Sequence, residues 1–260
     1  MFESNYDQFS RLTPIRCVLL LIVSFVLAVV VARIIEVLLW GLALFSAIRV
    51  VDTSVDQVSA ALDLWFECQG VYWLIMLVVW GVGAFGFVRW KYGLSANSFR
   101  MCGNGRFKQL LVMNSLLGVL IQVLLPLIFV SFISILYKEI DKAWVLNLSS
   151  WVKAESLFAF QDHVYVGRLL SILVVCPVVE EFIFRGLLYS SFRTKYGVTI
   201  SIVASSLIFG VYHVNVIMMP SMFVIGAVAA LVYEKQRSLL ASISFHFGLN
   251  MTSVICWLTL

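Results

Sequence analysis

Charged residues are scarce in this sequence, and their absence decides its class. Only 12% of the 260 residues are Asp, Glu, Lys or Arg, while 62% are hydrophobic and the mean hydropathy is +1.01; a soluble domain carries about twice that charge. No long polar insert separates the apolar spans, so residues 1–260 are expected to form a single integral membrane domain. The net charge of +4 comes from basic residues gathered in loops, which reflects orientation in a membrane and not nucleic-acid binding.

Other absences narrow the chemistry. The five cysteines, at 17, 68, 102, 176 and 256, are odd in number and lack CxxC or metal-type spacing, which argues against a disulfide framework or a zinc ribbon. There is no His-Glu-x-x-His motif, no convincing serine nucleophile, and no internal repeat of the kind that builds inverted-repeat transporters. The first apolar run is too long for the core of a signal peptide and reads as a retained helix.

The apolar runs predict an all-α fold of seven membrane spans, or eight if the 137–168 region also crosses. The spans begin near Ile15, Val71, Leu110, Gly167, Val198, Met218 and Leu239. Arg33 and Glu36, three apart in the first span, can pair. Residues 49–70 read as an acidic loop, and 137–168 as an interfacial segment with Trp144 and Trp151. With seven spans, Arg11, Arg16, Arg89, Lys91, Arg100, Arg106, Lys108, Arg193, Lys195, Lys235 and Arg237 fall on one side. Arg49, Lys138, Lys142, Lys153 and Arg168 fall on the other. Eleven against five puts the N-terminus in the cytoplasm and the C-terminus outside.

Against this background Val178-Val-Glu-Glu-Phe-Ile-Phe-Arg-Gly186 stands out. Two carboxylates and a guanidinium inside an apolar span would cost roughly 8–10 kcal/mol if each were unpaired. Glu181 and Arg185, four apart with the acid first, can form an ion pair. Glu180 points about 100° away and is left as the spare carboxylate, with Cys176 on its face. Pro177 removes a backbone donor and loosens the helix just before the acids. These charges could simply lock the helix to a neighbour, but ionisable groups within a membrane are functional by default.

Two of the three histidines also lie in apolar spans. Phe209-Gly-Val-Tyr-His213 carries one; His246 and Asn250 share a face in Phe245-His-Phe-Gly-Leu-Asn250. At 1.5 Å per residue, Glu180, His213, His246 and Asn250 lie roughly 12–22 Å from the cytoplasmic ends of their spans, so they can converge near mid-membrane. Such a set suits hydrolysis by activated water: Glu180 accepts the water proton, a histidine orients the water, and His246 with Asn250 donates to an oxyanion.

Glu-Glu-x-x-x-Arg at 180–185, Phe-x-x-x-His at 209–213 and His-x-x-x-Asn at 246–250 resemble, in that order, the three motifs of the CPBP family. That family joins CAAX prenyl endopeptidases of the Ras-converting type to Abi proteins of bacteriocin processing and self-immunity. The resemblance covers 167–260, the motif-bearing core. It implies a metal-independent, cofactor-free intramembrane glutamic endopeptidase with helices around a polar cavity. Carried over by motif, Glu180 is the base with His213 assisting, His246 and Asn250 form the oxyanion site, and Glu181, Arg185 and Phe209 support them.

The implied partners are the bilayer and a peptide or protein substrate at the membrane, with or without a lipid modification, and no nucleic acid. The compact loops suggest a bacterial inner membrane. Three alternatives use the same residues: a zinc-dependent membrane metalloprotease, a non-catalytic immunity or scaffold protein that binds a peptide, and a proton-coupled transporter. A cysteine protease built on Cys176 is disfavoured, because Glu180 one turn away opposes thiolate formation.

Overall fold

The computed structural model describes residues 9–50, 55–94, 98, 107–136, 169–213 and 218–259, and among them every regular element is helical. Helix α1 is Pro14–Val50, α2 is Val55–Tyr92 and α3 is Phe107–Leu136. A continuous helix then starts at 169, passes through Ser171–Val175, Cys176–Glu181 and Phe182–Tyr189, and enters Ser190–Tyr212. Gly197, at φ 75° and ψ −178°, breaks Ser190–Tyr212 in two. That conformation is open essentially only to glycine. The two arms are α4 (169–196) and α5 (198–212). Helices α6 (Met219–Gln236) and α7 (Leu239–Thr259) complete the order.

Among the described residues, four stretches have the length and composition to cross a membrane: Pro14–Leu39, Leu74–Tyr92, Leu111–Ile128 and Leu239–Cys256. The faces agree. On α1, Ile15, Leu19, Ile22, Val26, Val30 and Ile34 are exposed at helical spacing, while Cys17, Leu21, Ala28 and Ala32 are buried. Large apolar side chains outward and small ones inward is the arrangement of a helix in lipid. The chain is an integral membrane protein. The seven expected spans each coincide with a helix, and four of them meet the length and hydropathy of a crossing.

The expected acidic loop at 49–70 is corrected: α1 continues to Val50 and α2 begins at Val55. Val58, Leu62, Trp65 and Phe66 recur at helical spacing through the acids, and that period outweighs the charge. Segment 137–168, expected at the interface, lies outside the described residues. Arg33 and Glu36 do pair, at 2.7 Å, and the Arg33 guanidinium lies 4.1 Å from the Tyr72 ring centre.

The core gathers on α4. Ile183, Phe184, Leu187, Leu188 and Tyr189 are all buried, packed between α1 and α2 on one side and α5–α7 on the other. Helix α7 is in turn seated on α3, through a pair of glycines. A Cβ on Gly118 would collide with the Phe245 carbonyl oxygen, and one on Gly248 with that of Ser115. Small residues let the two backbones touch, which is how helices pack where no hydrophobic effect drives them together. Polar contacts flank the glycines: Ser115 Oγ donates to the Ser244 carbonyl at 3.0 Å and Gln122 Nε2 to Ser253 Oγ at 2.9 Å.

Candidate active site

The acids sit on a helix whose hydrogen-bond register is irregular on both sides. Ser171–Val175 and Phe182–Tyr189 are π-helical, and Cys176–Glu181 between them is α-helical. The first irregularity follows from Pro177. The Cys176 N–H bonds to the Ser171 carbonyl, five residues back. The Ile172 carbonyl thereby loses its α-helical donor, and its π-helical donor would be residue 177, which has no N–H. Asn250 fills the vacancy: its Nδ2 donates to Ile172 O at 2.7 Å, across from α7.

One turn on, Glu181 is held from two sides. Arg185 Nη1 lies 2.8 Å and His246 Nδ1 2.9 Å from its Oε1. The expected Glu181–Arg185 pair is therefore present, 1% exposed at both residues. Arg185 also donates to the Gly226 carbonyl at 3.1 Å, and its guanidinium lies 4.7 Å from the Phe209 ring centre. A buried guanidinium needs this many partners, since burial of a charge is unfavourable unless it is paired and hydrogen-bonded. Phe209 is the floor on which this group rests.

Glu180 is the carboxylate with an uncommitted oxygen. Its Oε1 accepts from Cys176 Sγ at 3.1 Å, whereas Oε2 has no hydrogen-bond partner among the described residues and faces His246 Nε2 at 3.9 Å. The residue is 5% exposed. Because a carboxylate only accepts, the His246 Nδ1 proton goes to Glu181, and Nε2 is the ring atom turned to Glu180. The gap of 3.9 Å is too long for a direct bond. A separation of this size is one that a single molecule hydrogen-bonded to both atoms can span.

His213 is placed differently. It caps the end of α5, its Nδ1 is 2.8 Å from the Phe209 carbonyl, and its ring packs edge-on against Phe209 at 4.6 Å and Tyr212 at 5.2 Å. The structure brings Glu180, Glu181, Arg185 and His246 together in direct contact or near it. His213 joins them through the Phe209 ring, whose centre is 6.4 Å from that of His246.

Two residues stand closer to the site than the sequence alone indicates. Cys176, expected on the Glu180 face, bonds to Glu180. Tyr212 packs its ring against Phe25, Trp80 and Phe184. Its place directly before His213 was the available signal.

The sequence pattern of the family described as Rce1-like, type II CAAX prenyl endopeptidase Rce1-like, matches residues 163–252. The motif-bearing third of this chain is thus similar to that family. All the residues that meet at Glu180 and Glu181, on α4, α5, α6 and α7, fall inside the Rce1-like segment; α1 to α3 lie before it. No curated protein and no solved structure matches the chain.

Proposed function

We propose that this protein is an intramembrane endopeptidase of the CAAX prenyl protease type, of the glutamic class, in which Glu180 activates water. One observation carries the reading: a deeply buried Glu180 keeps Oε2 free and turned to His246 Nε2, 3.9 Å away, within the Rce1-like segment. A buried carboxylate with an unused oxygen is a ready proton acceptor and an unfavourable purely structural element.

Glu180 Oε2 takes a proton from a water oriented with the help of His213, and the water oxygen attacks the peptide carbonyl carbon. The oxyanion is met by Nε2–H of His246 as the imidazolium, whose charge Glu181 balances through Nδ1, and by the second amide hydrogen of Asn250. The C–N bond then breaks, and protonated Glu180 returns its proton to the leaving amine. Arg185 and Phe209 hold Glu181 in place and take no part in proton transfer.

The substrate is a membrane-proximal peptide approached from the cytoplasmic side, either a prenylated C-terminus or a peptide leader. The host is a bacterial inner membrane, with the N-terminus cytoplasmic, and the whole of 1–260 acts as one domain. The test compares membrane-associated peptides from cells with equal amounts of wild type or Glu180→Gln, alongside cleavage of a farnesylated CAAX peptide by the purified proteins. Glu180→Gln should lower cleavage by about 10²–10⁴-fold. Equal products from both would move a non-catalytic peptide-binding role to the front.

A further inference from the structure

Glu180 and His246 also belong to a second constellation, completed by Cys176, a side chain that hydrolysis does not use. Cys176 Sγ, a Glu180 carboxylate oxygen and a His246 ring nitrogen lie within 4.8 Å of one another. Thiolate, carboxylate and imidazole are a mixed donor set suited to zinc, cobalt or cadmium, and unsuited to magnesium or calcium. In a tetrahedral site such atoms stand about 3.2–3.8 Å apart, given metal–ligand bonds of roughly 2.0–2.3 Å. The cluster therefore needs to contract by less than the length of a bond.

Three further features favour a cation here. Glu180 Oε2 is buried, without a hydrogen-bond partner among the described residues, and turned inward toward His246. His246 presents Nε2 to the cluster because Nδ1–H is committed to Glu181, the carboxylate–histidine support that metal-ligating imidazoles ordinarily have. Charge also closes. Glu180 and Glu181 carry two negative charges against one positive on Arg185; a divalent ion that displaces the Cys176 thiol proton brings the group to neutrality with His246 uncharged.

We propose that Cys176, Glu180 and His246 form an inhibitory binding site for a thiophilic divalent cation such as zinc. The binding stands on this geometry alone; the inhibition rests on the reading of Glu180 as the base, because a bound cation occupies the lone pairs that would accept the water proton. The thiol proton leaves for each ion bound, and the Nε2 proton leaves with it wherever His246 enters as the imidazolium. Glu181 acts through His246 as a positioning residue for the site.

The test uses the full chain in detergent and reads binding without any substrate. Titration with Co²⁺ should produce a near-ultraviolet thiolate–cobalt absorption that saturates at one ion per chain and is displaced by Zn²⁺. Cys176→Ser should abolish the band, and Glu181→Gln, which keeps all three ligands, should weaken binding by about 10–100-fold. Zn²⁺ should inhibit cleavage of the farnesylated CAAX peptide with the midpoint found for binding, reversibly with a chelator, and at least tenfold less effectively against Cys176→Ser. An identical band in wild type and Cys176→Ser, no band in either, or stimulation of cleavage by Zn²⁺ would overturn the proposal. A Cys176-dependent band in a protein that cleaves nothing would support the site and refute the protease reading.

Discussion

Ile172 has a carbonyl that neither helical register can satisfy, because Cys176 has turned its N–H to Ser171 and Pro177 has none to give. Asn250 answers it from 78 residues away, so the same amide that is proposed to meet an oxyanion also joins α7 to α4. Asn250→Ala should therefore destabilise the protein by about 1–3 kcal/mol, the penalty for an unsatisfied buried acceptor. A fall in the detergent unfolding temperature checks this; an unchanged temperature with reduced cleavage would confine Asn250 to the chemistry. At this scale the sequence disclosed whatever depended on spacing along one helix. The Glu181–Arg185 pair and the spare Glu180 were legible from a four-residue offset. The bond from His246 to Glu181 was not, because it joins two helices whose rotation about their axes no single sequence specifies.

Among the elements, α4 and α7 carry the site and α3 sets where α7 can lie. The Gly118–Phe245 contact is backbone against backbone, so no side chain can move aside to accept a methyl group. Gly118→Ala should destabilise by about 1–3 kcal/mol, the usual range for overpacking. Gly83→Ala is the control, since nothing lies within 4 Å of the Cβ it would add. Equal thermal stability of the two variants would show that α3 and α7 are not in this contact. The expected start of the first span near Ile15 agrees with α1, which begins at Pro14. The loosening expected before the acids is present as a π-helical segment. The second π-helical stretch, Phe182–Tyr189, had no such mark, and we have no physical account of its cause.

For the molecule as a whole, the distribution of basic residues and the all-helical fold lead to one topological expectation. With seven crossings, a periplasm-dependent phosphatase fused after Leu260 should be active, and one inserted after Lys195 should be inactive. Equal activities at both sites would rule out that arrangement. Hydropathy made the membrane class plain from sequence. Among the described helices α1, α2, α3 and α7 carry stretches with the length and hydropathy of a crossing, and α7 does so while holding His246 and Asn250.

The glycine contact between α3 and α7 also bears on how portable this site is. Helix α3 ends before the Rce1-like segment begins, yet it supplies the bearing surface for the helix that carries His246 and Asn250. A graft of the motif-bearing third onto another membrane scaffold would transfer every reacting group. It would leave behind the surface that sets the 3.9 Å between His246 and Glu180.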